Sequence, residues 1–131
     1  MTTIFSLRDG ASSSIYCTPD SYEGYLWTSR TSDGTGWVKM DFKEPFQISR
    51  FVIRHAEAAG MEPELNSRDF TIETSLDGET WTTVGSYVGN TAPVTEATIT
   101  PVEARFVRVN VTNGGTDGRV RIGDIEVYGA H

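Results

Sequence analysis

Hydrophobic residues in this chain recur every second position. In residues 37–42, Val38, Met40 and Phe42 fall on one face and Trp37, Lys39 and Asp41 on the other. Side chains two apart share a face only in an extended strand, so the segment reads as half-buried β-structure with Val38, Met40 and Phe42 toward the core. Residues 48–55 follow suit, Phe51 and Ile53 alternating with Arg50, Val52 and Arg54, after a turn at Glu44-Pro45. The same grammar predicts strands at residues 4–7, 12–16, 69–75, 81–88, 95–100, 105–111 and 121–128. Asp77-Gly78 joins two of them as a tight hairpin, because that dipeptide tolerates positive φ, and Trp81 follows to cover the hairpin. Pro101 ends the strand before it.

Short strands separated by turn residues predict an all-β fold, an antiparallel sandwich or barrel. Residues 18–36, 56–66 and 113–118 keep no steady period and read as loops, Gly60 and Pro63 breaking any helix in the second. Long loops on a rigid sandwich usually carry its function, so one rim is expected to bind something.

Charge and composition narrow what that is. The chain's 131 residues fit one domain over residues 1–131, and 18 acidic against 11 basic residues give a net charge of −7. That sign disfavours nucleic acid and anionic membrane surfaces, and suits either simple solubility or a cationic ligand. Cys17 is the only cysteine, so neither an intrachain disulfide nor a cysteine zinc site can form. No apolar run approaches the ~20 residues of a membrane span, and the first residues lack the regions of a signal peptide. The expectation is a cytosolic protein or a mature piece of a longer one.

Catalysis finds little support. His55 and His131 are the only histidines, with no nucleophile elbow or His-Glu-x-x-His motif beside them. Glu57, Glu62, Glu64 and Asp69 can nominally supply a glycosidase pair, but a sandwich this small leaves little room for a deep cleft. The expectation is a binding protein that is not an enzyme.

Several stretches together resemble the F5/8 type C, or discoidin-like, domain, and within it the family 32 carbohydrate-binding modules of bacterial glycoside hydrolases. They are residues 20–27 with Ser29, residues 37–42 and 48–53, the Ser-x-Asp-Gly-x-x-Trp hairpin of residues 70–81, and residues 104–129 with their Ala-Arg-Phe-Val-Arg strand and closing Glu-Val-Tyr-Gly. The combination is specific where each piece alone is weak. The resemblance implies a jelly-roll, galactose-binding-domain-like sandwich, a lectin-like non-catalytic role, a secreted bacterial setting and a larger parent enzyme. Sugars are then expected on loops at one end.

Galactose-type sites of the family resemble a His, Arg and Asn cluster beside an aromatic ring, which here implies His55, Asn66 and Arg68, with Glu57 nearby. Arg offers vicinal hydroxyls a fork of donors, and Asn and neutral His supply donor and acceptor together. Ala58 stands where some members carry a stacking Trp, so the aromatic platform is expected from Tyr22, Tyr25 or Trp27 instead, the two tyrosines being the better stacking candidates. Each residue also has a purely structural reading: His55 as the end of a core strand, Asn66 as a turn former, Arg68 as a brace to Asp69, Glu57 or Glu64. The family's structural Ca2+ implies Asp20 in the first long loop and Asp124 on the last strand, although Ser21, Tyr22 and Tyr25 replace the usual inner ligands. Two alternatives stay open. One is a protein-interaction or adhesion domain on the same sandwich. The other is a chitosan-type binder using Glu57, Glu62 and Glu64 against ammonium groups.

Overall fold

A computed structural model describes the backbone of Thr2–Ser6, Ser14–Cys17, Asp20–Tyr22 and Trp27–Ser29 and all of residues 33–130, with side chains for residues 33–130. Nine strands are described: β1 (Thr2–Ser6), β2 (Ser14–Cys17), β3 (Asp20–Tyr22), β4 (Trp27–Ser29), β5 (Gly36–His55), β6 (Asp69–Ser75), β7 (Thr82–Tyr87), β8 (Val94–Asn113) and β9 (Arg121–Ala130). All pairings are antiparallel. The hydrogen-bonded path runs β3-β4-β9-β5-β8-β6-β7, with β1 on β9 and β2 on β5.

That continuous path folds into two layers because β5 and β8 each serve both. Residues 36–41 of β5 pair with residues 106–111 of β8, in a layer completed by β2, β6 and β7. Residues 50–54 pair instead with residues 94–98 of β8 on one side and with β9 on the other. Strands that switch sheets at a bend are how a sandwich turns its corners. The alternation therefore predicts the segments, and the structure joins them: residues 37–42 and 48–55 are one strand, as are 95–100 and 105–111.

The corner has an identifiable cause. Register shifts between Asp41 and Phe46, where Lys43 takes φ 73° and Glu44-Pro45 follow. Asp41 is 5% exposed; its carboxylate accepts the Lys43 N–H at 2.8 Å and two bonds from Arg105, Nε at 2.8 Å and Nη2 at 2.9 Å. The Arg105 guanidinium holds the Asp41 carboxyl below the usual carboxylate range. Charge-assisted, two-pronged bonds of this kind fix both distance and orientation. Arg105 of the Ala-Arg-Phe-Val-Arg stretch is thus the clasp of the bend, and Ala104 beside it is fully buried.

Between the layers lie Val38, Met40, Phe42, Phe70, Ile72, Val107, Val109 and Val111 from one sheet against Ile48, Phe51, Ile53, Ile125 and Val127 from the other. Deleting such a side chain to alanine costs about 2–5 kcal/mol, so this interior is what holds the rims in place. The hairpin turns with Gly78 at φ 78° as its sequence requires, and Trp81 packs edge-on to Phe106 at 6.4 Å with the Arg108 guanidinium 4.2 Å from its ring centre. The closing Tyr-Gly also has a reason: a Cβ on Gly129 would lie 2.0 Å from the Gln47 carbonyl oxygen, so only glycine lets β9 lie against β5 there.

Candidate functional site

At one end of the sandwich β5 stops at His55, β6 starts at Asp69, and the antiparallel pairing of Phe70 with Tyr87 returns the chain so that residues 88–93 lie beside residues 66–69. The connection from β5 to β6 is ordered by two single-turn 3₁₀ helices, Glu57–Ala59 and Pro63–Leu65. Gly60 ends the first in the left-handed region and Pro63 opens the second, which is why no longer helix forms. Between the two segments is an open pocket of about 390 Å³, walled by Pro63, Glu64, Asn66 and Arg68 on one side and Gly89, Asn90 and Thr91 on the other.

Its walls are tied to each other. The Asn90 N–H donates to the Arg68 carbonyl at 2.8 Å, and its side-chain amide donates to the Ser67 carbonyl at 3.0 Å. Asp69 Oδ1 accepts the Gly89 N–H at 2.8 Å. Behind them the Arg68 N–H reaches the Asn113 carbonyl at 2.9 Å, and the Thr116 N–H reaches the Glu64 carbonyl at 3.1 Å. Backbone held this way needs little reorganisation when a ligand arrives. On this frame Arg68 is exposed and, among the described residues, forms no ion pair. The same holds for Glu64. Val88, 85% exposed, stands next to Gly89 as an apolar lip.

The residues expected to gather around a ligand separate into those that face the pocket and those that build it. Arg68 faces it. Asn66 lines it too, yet it is 2% exposed and its amide is spent on Glu57: Oδ1 accepts the Glu57 N–H at 2.8 Å and Nδ2 donates to Glu57 Oε1 at 3.1 Å. Glu57 is therefore a brace rather than a free acceptor.

His55 does not meet the expectation of a ligand contact. It is 1% exposed, its ring 5.1 Å from that of Phe70, and its Nε2 shares a 2.8 Å hydrogen bond with the Thr95 hydroxyl. The register shift between Arg54 and His55 turns the side chain inward, and its backbone N–H donates to the Pro93 carbonyl at 2.9 Å. Burial pushes the imidazole down to about 4, so it is neutral at physiological pH. Its Nδ1 and the Ser67 hydroxyl are buried without a hydrogen-bond partner among the described residues. His55 is a post under the rim.

Of the aromatic candidates, Tyr22 ends β3 with its backbone paired to Trp27, and Tyr25 lies outside the described residues. Asp20 opens β3, its side chain likewise outside the description. Asp124 is 5% exposed; its Oδ1 accepts the Ile125 N–H at 2.9 Å and its Oδ2 faces Arg54 at 3.8 Å. Among the described residues no three His, Cys, Asp or Glu side chains gather as metal ligands. Calcium takes six to eight oxygens, and most of the loop that would complete such a site with Asp124 lies outside the described residues.

From sequence, Gly89, Asn90 and Thr91 read only as a turn. The signal for them is hairpin arithmetic: arms of similar length place the residues after β7 beside those before β6.

By fold and site together the chain is an antiparallel β-sandwich whose one loop-built rim presents an open polar pocket. The chain belongs to the F5/8 type C domain family, whose model matches residues 9–125. No curated protein sequence matches it. Solved structures share the fold of family 32 carbohydrate-binding modules. One is the family 32 module of Streptococcus pneumoniae EndoD, at 22% identity and TM-score 0.76 over 90% of this chain and 96% of that one. A second is CpGH89CBM32-5 from Clostridium perfringens in complex with GalNAc-β-1,3-galactose, at 10% identity and TM-score 0.77 over 95% and 99%. A third is chitosan-binding module 1 of a Paenibacillus sp. IK-5 chitosanase/glucanase, at 21% identity and TM-score 0.74 over 88% and 94%.

Proposed function

We propose that this chain is a non-catalytic carbohydrate-binding module that takes a galactose-type or related sugar in the pocket beside Arg68. The observation that carries the reading is an exposed arginine with no ion pair among the described residues, mounted on hydrogen-bonded walls. A guanidinium spans two adjacent hydroxyls, Glu64 offers a further polar partner, and Val88 and Pro63 supply apolar surface for the C–H side of a pyranose. Support comes from the fold shared with modules described as carbohydrate-binding and taken from larger enzymes. By the same likeness the natural setting is a secreted parent glycoside hydrolase or a free-standing lectin.

The pocket is shallow and open, so a single sugar should bind with a Kd of roughly 10 μM to millimolar, avidity coming only from several modules together. A glycan array probed with the chain and with Arg68→Ala tests the reading. Signal on a sugar class, reduced about tenfold or more by the substitution, is expected, since a hydrogen bond to a charged group contributes about 1.5–3 kcal/mol. No glycan above background would overturn the function; equal signal from both proteins would move the site.

A further inference from the structure

One layer of the sandwich runs β2-β5-β8-β6-β7, and β7 closes it with pairing on one side only, to β6. Its outer edge is open: Thr82, Thr83 and Ser86 are exposed, and among the described residues no other backbone bonds to it. An unpaired strand edge presents a row of N–H and C=O groups ready for another strand, and proteins guard such edges with charge, proline, bulges or brevity. The other edge of this layer, β2, has only four residues. β7 has six, with neither proline nor charge, and it lies within the longest uncharged run of the chain, the sixteen residues 80–95. Its one guard is a bulge at Val84, between the partners of Ile72 and Glu73.

Two properties of the chain select what pairs there. At a net charge of −7 two copies repel over most of their surface, and the uncharged run is where that repulsion is weakest. A second copy also brings a strand already formed against its own β6, whereas a disordered peptide gives up about 1–2 kcal/mol per residue on being ordered. We infer that β7 pairs antiparallel with β7 of a second copy across a twofold axis, joining the two layers edge to edge. Six residues a side make a small interface, so the dimer is weak, with a Kd on the order of 100 μM to 1 mM. Because residues 88–91 continue from β7, the axis sets the two pockets beside Arg68 at opposite ends of the paired strands.

Sedimentation equilibrium and amide-resolved NMR of the full chain, from about 20 μM to 2 mM, test the pairing by mass action. A mass rising toward that of two chains is expected, with concentration-dependent shifts centred on residues 82–87. Thr83→Lys and Ser86→Lys each place a charge on the exposed edge, where the axis brings it close to its own copy, and each should weaken association about tenfold without loss of stability. Each also removes one unit of the net negative charge, so association governed by overall repulsion would strengthen instead. A monomer at every concentration, shifts centred away from residues 82–87, or lysine variants that associate as well as the original chain would overturn the inference.

Discussion

Asn66 holds Glu57 at both ends of its side-chain amide, accepting the Glu57 N–H at 2.8 Å and donating to Glu57 Oε1 at 3.1 Å. The clasp shuts the connection from residue 57 to residue 66 into a compact loop and sets the wall from which Arg68 projects. Asn66→Ala leaves the Glu57 N–H without its acceptor, so the fold should lose about 1–3 kcal/mol in chemical denaturation. Unchanged stability would show that the loop is held by other contacts.

His55 makes stability depend on pH. Its imidazole sits at about 4 in the fold against an ordinary value of 6.5, because burial penalises the charged form. Between those values the unfolded chain binds a proton that the folded chain refuses, so stability is full above pH 6.5 and falls as pH drops toward 4. The loss approaches roughly 3 kcal/mol. Asp41 and Asp77, both held below the usual 3.8, contribute stability above that pH and lose it as pH falls through their lowered values, a separate and more acidic window. Urea titrations of the chain and of His55→Gln should differ in slope only across the His55 window; parallel curves would contradict the assignment.

Arg105→Ala removes the clasp at the corner of β5 and β8 and leaves the Asp41 carboxylate, 5% exposed, without its main partner. A loss of about 1–3 kcal/mol is expected at neutral pH, shrinking below the usual carboxylate range as Asp41 takes up a proton. A loss that does not vary with pH would mean that Arg105 acts through its packing on Phe106 instead, its guanidinium being 4.9 Å from that ring.

Much of the fold is legible in the chain. Residues 69–75 read as the strand that forms, because Phe70 and Ile72 alternate cleanly and Asp77-Gly78 fixes the turn after them. The joins at Glu44-Pro45 and Pro101 read as breaks, since local chemistry marks a bend without saying whether the strand survives it. Asp41 and Arg105, 64 residues apart, decide that only in three dimensions. The strands β3 and β4 are hidden in an aperiodic stretch, being three residues each and too short to show a period.

The rim is legible in part. Sequence places Arg68 beside the pocket, but does not reveal that one shift in register turns His55 inward, or that Asn66 spends its amide on Glu57. Residue type identifies what a side chain can bond, whereas exposure decides what remains available to a ligand. Neither the sugar nor its aromatic neighbour follows from residue types alone.

Chemical-shift mapping with a galactose-terminated disaccharide tests the central claim most directly. Saturable shifts clustered on residues 63–68 and 89–91, lost in Arg68→Ala while the core resonances stay in place, are the predicted result. Saturable shifts that avoid this rim, or that persist undiminished in the Arg68 variant, would contradict it.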